Sequence, residues 1–390
     1  MRILHVLRAP VGGLFRHVID LSGEQALLGH DVGLIVATSS DALTEKRLQL
    51  AASHLSLGIA RVDMARSVGL SDAAACRWVR RYARKLECDV LHGHGAKGGA
   101  YARIAGIGLE NGGVPIRVFY TPHGGTLNYA PNTVAGRVYH RLERWLDPLT
   151  DGIIFESAHA ARVYEAVVGP GRAPRRVIYN GLRPSDFVSH QPAEGAPDVL
   201  FVGELRRLKG VDVLLNAIAR IKGNRGKALR AVIVGDGPDR DEFLQLAEGL
   251  GLGRVVAFPG AMPAADAFAL GSVIVVPSRK ESMPYIVLEA AAAGMPLVAT
   301  GVGGIPEIVE GTDMSLVPPD DVDALADAIS NAIGHPMQAR ARADRLKSSV
   351  SERFTVARMA DDVMRFYTDR CASSVHGAPN APPILEDAAT

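Results

Sequence analysis

The sequence is short of cysteine, of net charge and of long unbroken apolar runs, and each shortage closes off a class of protein. Its three cysteines, Cys76, Cys88 and Cys371, form no Cys-x-x-Cys and leave one over under any bridging. A disulfide frame or a thiolate metal site is not expected, and a reducing cytosol is. Formal net charge is +1, so no global field points to nucleic acid and any basic surface must be local. The opening Met-Arg-Ile-Leu-His-Val-Leu-Arg has too short an apolar run for a signal peptide and is broken by His5 and Arg8. The most apolar long stretch, 285–302, is cut by Glu289, Gly294 and Pro296, which makes it helix, turn and strand and not a membrane span. The Gly12-Gly13 pair and Gly235-Asp-Gly237 both lack the full Gly-x-Gly-x-x-Gly, so a dinucleotide fingerprint is unsupported.

What is present suits an α/β protein. Hydrophobic residues make up 47% and aromatics 5% of 390 residues, which implies an aliphatic core and a chain long enough for two domains. A first βαβ cycle reads as a strand at 2–7, a helix from about 14 to 28 capped by Gly29, and a strand at 31–37. Further strands at 89–94, 117–121, 151–155 and 176–178 complete that half, with Gly95-Ala-Lys-Gly-Gly99 beginning a loop into a helix after the first of them. Residues 189–198 have linker composition. A second cycle opens at Val199, and its strands include 231–234, 255–259, 273–276, 296–299 and 314–317. Helices are expected at 322–333, 336–349 and 355–370, and disorder from residue 372. The expected units are 1–185, 195–350, a last helix in 351–371 and a tail of 372–390.

The stretch 279–289, Arg-Lys-Glu-Ser-Met-Pro-Tyr-Ile-Val-Leu-Glu, is the centre of the reading. The apolar run 273–276 is a buried strand ending at Pro277, and Pro284 opens a helix that stops at Gly294. Strand, loop and helix start then present backbone N–H groups and a positive dipole end to an anion such as a diphosphate. Two carboxylates flank this loop. Were the whole span helical, Glu281 and Glu289 would stand about 12 Å apart along the axis. A glycosidase pair needs ~5 Å or ~6.5–9.5 Å, so the two are spaced to grip the ends of an extended ligand and not one scissile bond. The plainer reading is a solvated loop Glu and a helix Glu in a structural ion pair. Glu289 among alanines needs a partner under either reading.

Glu281 to Glu289, followed by Gly294-Met-Pro-Leu-Val-Ala-Thr and Gly303-Gly-Ile-Pro-Glu307, resembles the retaining GT-B glycosyltransferases of family 4. The resemblance implies two Rossmann-like domains facing across a cleft, with the last helix crossing back to the first. It implies that Glu281 contacts the donor sugar and Glu289 the ribose of a nucleoside-diphosphate sugar. The loop residues Ser282, Met283, Pro284 and Tyr285 lie between those two ends of the donor. Thr121-Pro-His123 matches the Thr-x-His beside the transferred sugar, with His94 as second choice. The Gly-Gly loop puts Gly13 at the cleft, and the turn at Gly235 borders the base. The family's Gly-Arg-Leu-x-x-x-Lys-Gly is matched at Lys209, but its Arg position is Glu204. Whether Arg206 or Arg207 compensates is open.

No Asp-x-Asp stands in the matching place, and three histidines without a carboxylate at ligand spacing are weak evidence for a metal. No metal or cofactor is expected. The helix at 71–86 carries Arg77, Arg80, Arg81 and Arg84 on one face, and 135–146 repeats the theme with Arg137, Arg141, Arg144 and Trp145. A solvated pair of helices and a patch for anionic membrane or a lipid-linked acceptor are both open, with Arg80 and Arg84 as the residues to test. The expected reaction is sugar transfer to a lipid-linked or saccharide hydroxyl, in polysaccharide or glycolipid assembly, in the cytoplasm or at the inner membrane face. The rivals are a sugar-nucleotide epimerase of the same fold and a non-catalytic sugar-nucleotide-binding subunit.

Overall fold

The computed structural model describes residues 1–38, 42–65, 69, 71–225 and 229–372. Two compact units divide the chain, Met1–Gly181 with the segment from Val356 onward, and Leu182–Thr355.

The first unit runs β1 (Arg2–Leu7), α1 (Gly12–Leu27), β2 (Asp31–Ala37), α2 (Ala42–Ala52), β3 (Gly58–Val62), α3 (Ser71–Lys85), β4 (Val90–His94) and α4 (Gly95–Gly106). A two-residue hairpin, β5 (Glu110–Asn111) and β6 (Val114–Pro115), precedes β7 (Arg117–Thr121), α5 (Val134–Leu146), β8 (Gly152–Phe155), α6 (Ala158–Val168) and β9 (Arg175–Val177). Seven parallel strands pair in the order β3-β2-β1-β4-β7-β8-β9. Helices cover such a sheet on both faces, so its central strands are buried along almost their whole length.

The second unit runs β10 (Val199–Val202), α7 (Val211–Arg225), β11 (Ala231–Val234), α8 (Arg240–Gly249), β12 (Val256–Gly260), α9 (Ala264–Ala267), β13 (Val273–Val276), α10 (Tyr285–Ala292), β14 (Leu297–Ala299), α11 (Ile305–Val309), α12 (Val322–Gly334) and α13 (Pro336–Arg353). Its five parallel strands pair in the order β12-β11-β10-β13-β14. The chain then forms α14 (Val356–Ala372), whose Met359, Val363 and Tyr367 pack with Ile3, Phe119 and Ile154 of the first unit.

The structure differs from the sequence expectations at four places. The strand expected at 314–317 contributes only an isolated bridge, Thr300 to Val317. The edge pair α2 and β3 escaped the reading because β3 is only partly buried and shows no apolar run. The glycine run after His94 is not a loop but the first turn of α4. A Cβ at Gly98 would sit 2.3 Å from the Val6 carbonyl oxygen, and one at Gly99 2.2 Å from the Tyr120 ring. Glycine is there so that the helix can lie directly on β1 and β7. Ala372 is the last residue of α14, and the rest of the expected disordered tail lies outside the described residues.

Candidate functional site

In both sheets the strand order reverses at one point, between β1 and β4 and between β10 and β13. Ligands of open α/β sheets collect at the carboxyl ends of the strands there. In the second unit these ends carry the loops 203–210 and 277–284, which are locked together. Gly210 has φ +72°, and a Cβ on it would lie 1.9 Å from the Pro277 carbonyl oxygen. Arg279 N–H donates to the Leu208 carbonyl at 2.9 Å. Its guanidinium makes a two-pronged pair with Asp212 at 2.8 and 2.7 Å and reaches Asp320 at 2.5 Å.

The consequence is a direct contact between the two charged residues named from sequence. Lys209 Nζ donates to both Glu281 oxygens, at 2.7 and 2.9 Å. Ser278 Oγ donates to Glu281 Oε1 at 2.7 Å, and Thr300 Oγ1 holds the Ser278 carbonyl at 2.6 Å. Glu281 is 8% and Lys209 25% exposed, so the pair is sheltered without being sealed. Gly303, at φ +62°, packs so close that a Cβ would meet the Glu281 carbonyl oxygen at 2.0 Å, and Gly304 N–H donates to the Ser282 carbonyl at 2.7 Å. Pro284 precedes the first residue of α10, and Gly294, at φ +65°, follows its end. Ser282 is half-buried, Met283, Pro284 and Tyr285 are buried, and Glu289 stands half-buried in the second turn of α10.

The arginines left open by the sequence both have partners. Arg206 Nε lies 3.3 Å from Glu204 Oε1, and Arg207 pairs with Glu242 at 2.5 Å. Gly235, at φ +146°, lets the β11 turn abut the β10 loop, since a Cβ would lie 1.8 Å from the Gly203 carbonyl oxygen.

The first unit places histidines where the second places charges. His5 on β1, His17 on α1, and His92 and His94 on β4 are at most 1% exposed, and half-buried His123 follows β7. Gln25 Oε1 can only accept, so His5 Nε2 carries the proton of their 2.7 Å bond. His5 Nδ1 then accepts from His94 Nε2 at 2.9 Å, and His94 Nδ1 accepts from His123 Nε2 at 3.0 Å. His17 Nδ1 donates to Asn180 Oδ1 at 2.9 Å, and its Nε2 has no partner among the described residues. His92 sits between Thr121 Oγ1, at 2.8 Å, and the Tyr367 hydroxyl. Burial pulls His5 and His17 down to about 4. Burial, then the neighbouring imidazoles, lowers His92, His94 and His123 well below the usual range. All five are neutral near pH 7.

His123 is held in a costly conformation. Its φ is +50°, left-handed for a residue with a side chain, worth of order 1–3 kcal/mol of strain. The loop behind it is fixed by a buried ion pair, Arg103 to Glu143 at 2.9 Å, with both side chains at most 1% exposed. Glu143 Oε1 also accepts from Tyr120 at 2.9 Å and from Thr126, in the His123 loop, at 3.1 Å.

Other predicted positions have plainer surroundings. Gly13 is exposed in the first turn of α1. Arg84 is exposed, but Arg80 is half-buried and donates to the carbonyls of Ala105, Ile107 and Gly108, tying α3 to the end of α4. Sequence reasoning missed His5, His17, Gln25 and Asn180. For the first three the available signal was a polar residue on a face otherwise filled by Ile3, Leu7, Val18 and Leu21.

Comparison with known proteins agrees with this architecture. Residues 11–186 match the family model described as Glycosyltransferase Family 4, and residues 196–335 the one described as Glycosyl transferases group 1. The glycogen synthase of Mycobacterium tuberculosis is 28% identical over 92% of this chain and 91% of its own length. Sucrose-phosphate synthase from Thermosynechococcus elongatus superposes with a TM-score of 0.79 at 21% identity, over 96% of this chain and 100% of that one. HepE from Anabaena, solved in complex with UDP-glucose, gives 0.78 at 20% identity, over 95% and 100%. The fold is that of the GT-B proteins.

Proposed function

From the premise that this chain belongs to the group 1, family 4 glycosyltransferases, we propose that it moves a sugar from a nucleoside-diphosphate sugar to an acceptor hydroxyl. The proposed transfer retains the anomeric configuration and needs no metal. The observation that carries the donor assignment is the Lys209–Glu281 pair at the switch point of the second sheet, one short loop before the N-terminus of α10. HepE, of the same fold, was solved with UDP-glucose, which supports a donor of that chemical class.

In this reading the anomeric carbon–oxygen bond breaks with its electron pair going to the diphosphate. The acceptor oxygen takes the carbon and its proton is released. Lys209 stands by the departing phosphate, and the amides of Ser282, Met283 and Tyr285 and the helix start share the load. Glu281 faces the sugar as it gains positive character. A cation and an anion held 2.7 Å apart match the two charges that separate as the bond breaks, and fixed charges of that kind act mainly on the transition state. Glu289 takes the ribose hydroxyls, the Gly235 turn borders the base, and His123 meets the transferred sugar with Gly13 nearby. Arg206 is the second cation. Its pair with Glu204 is exposed on both sides and of the kind worth ~0–1 kcal/mol, so a phosphate can compete for it. On this reading Arg206 makes up for the cation missing at Glu204, the departure that keeps the non-catalytic subunit as a rival. Nothing observed favours an epimerase.

The acceptor is proposed to be lipid-linked or a saccharide, met at the cytoplasmic face of a membrane. No helix among the described residues is long and apolar enough to cross a bilayer. On α5, however, Val134, Val138, Leu142 and Trp145 are 38–71% exposed, and their spacing puts them on one face. Arg137 and Arg141 lie beside them, exposed, while His140, Glu143 and Leu146 are buried. An apolar stripe edged by arginine suits an anionic lipid interface. Turnover of UDP-, GDP- and ADP-sugars with a lipid-extract acceptor, in the presence of a chelator, tests the whole reading. Transfer from one donor class is expected. Release of free nucleotide with no glycosylated product, or isomerised donor alone, would overturn it.

A further inference from the structure

We infer that His17, His94 and His123 form a binding site for a borderline divalent transition cation of the zinc class, and that filling it inhibits the enzyme. The ligating atoms of the three imidazoles lie within 4.8 Å of one another. Histidines that bind metals are held by an acceptor on the other ring nitrogen, which fixes the tautomer and aims the lone pair. Two of the three already have that arrangement. His17 gives its Nδ1 proton to Asn180 Oδ1, and its buried Nε2 has no hydrogen-bond partner among the described residues. His94 gives its Nε2 proton to His5, which is itself anchored on Gln25, and turns the Nδ1 lone pair toward His123. His123 needs only to move its proton from Nε2 to Nδ1. The His94–His123 nitrogen separation of 3.0 Å is close to the ~3.3 Å that two nitrogens take at ~2.0–2.1 Å from a tetrahedral ion.

The other histidine triad, His5, His92 and His94, does not qualify. Its His92 spends both ring nitrogens on groups outside the triad, Thr121 Oγ1 and the Tyr367 hydroxyl, and so has no lone pair to offer. Imidazole donors without carboxylate or thiolate favour zinc, copper, nickel and cobalt over magnesium or calcium. Burial keeps the three rings neutral near pH 7, the form that ligates. His123 is the least buried of the three, so an ion has a side from which to enter. The inhibitory part rests on the placement of His123 at the sugar under the proposed function, because a ligated His123 can no longer meet a sugar hydroxyl.

Cobalt(II) is the probe, since a tetrahedral site gives visible bands stronger than those of the aquo ion. The full chain is expected to bind one cobalt with such bands, and His17→Gln and His123→Gln should abolish them. Asn180→Ala keeps all three ligands and should weaken binding about 10–100-fold, which guards against a His17 variant that misfolds. No intense bands in the parent, or bands that survive His17→Gln, overturn the site. Zinc should then lower initial rates over the same range in which it displaces cobalt. Cobalt binding with turnover untouched by zinc overturns the inhibitory part and with it the place of His123 at the sugar, while leaving transfer itself measured and intact.

Discussion

The two units set their candidate sites at the same topological point and furnish it with opposite chemistry. At the β10/β13 switch the loops carry formal charges, with Lys209 on Glu281 and Arg279 on Asp212 and Asp320. At the β1/β4 switch the same positions carry neutral imidazoles linked by hydrogen bonds. Under the proposed function the fold fixes where a ligand is met, and side chains fix which part of it. A diphosphate needs fixed positive charge, while hydroxyl groups need donors and acceptors without net charge. The cost differs too. Charges at the second switch stay partly solvated, whereas the first encloses five titratable rings, four of them buried, and must keep them unprotonated.

The sharpest way to break the comparison is to damage what holds the neutral side in place. Glu143→Ala leaves Arg103 buried and unpaired and strips Tyr120 and Thr126 of an acceptor. A loss of about 3–5 kcal/mol in urea unfolding is expected. Arg207→Ala removes an exposed pair with Glu242, of a kind that contributes little to stability, so its unfolding midpoint should stay close to the parent's. Equal losses would mean that burial does not distinguish the two.

Next in size is Glu281→Gln. Because Glu281 is assigned to the sugar, kcat should fall about 10²–10³-fold, the scale for removing one preorganised electrostatic contact. Nucleoside diphosphate affinity should hold in titration calorimetry, since Lys209 remains. Full turnover at saturation with lost diphosphate binding would reverse the two roles.

A pH series separates the units by their titrating groups. His5 and His17 fall to about 4 in the folded protein, against ~6.5 unfolded. Between those values the unfolded state holds more protons, so stability rises with pH and is lost on acidification from 6.5 toward 4. Between pH 6.5 and 5 the loss should be about 1–2 kcal/mol per histidine. His17→Gln should flatten part of that slope, and an unchanged slope would show that His17 is not buried neutral.

The smallest effect expected is at the membrane. Leu142→Glu with Trp145→Glu should release the protein from anionic vesicles, with activity on a soluble acceptor kept. Arg84→Glu should weaken binding less, in a salt-dependent way. Arg80 is a poor probe, since it holds three carbonyls of the α4 end and its loss confounds folding with binding. Vesicle binding unaffected by the α5 changes would leave these helices as solvated faces.

Much of the second unit was legible because its signals are local. An apolar run ending at Pro277, then Pro284 and Gly294, marks strand, loop and helix within about twenty residues, and α10 begins and ends where those residues put it. The Lys209–Glu281 contact was not legible, because it joins positions 72 apart in sequence that only the parallel pairing of β10 and β13 brings together. The histidine cluster was hidden for the same reason, with links of 89 and 163 residues. A polar residue on an apolar face gives no sign of what it meets. The α4 start was misread because glycine weakens an isolated helix, whereas here the lack of a Cβ is what lets the helix lie on the sheet.

One measurement bears most directly on the division of labour between the units. Nucleoside diphosphate binding is followed by titration calorimetry in the parent, in Lys209→Ala and in His123→Gln, using whichever of UDP, GDP or ADP binds best. Lys209→Ala should lose roughly 1.5–3 kcal/mol of binding, the scale of a charge-assisted contact, and His123→Gln should bind as the parent does. An unchanged Lys209→Ala beside a weakened His123→Gln would put the diphosphate on the histidine side and contradict the account.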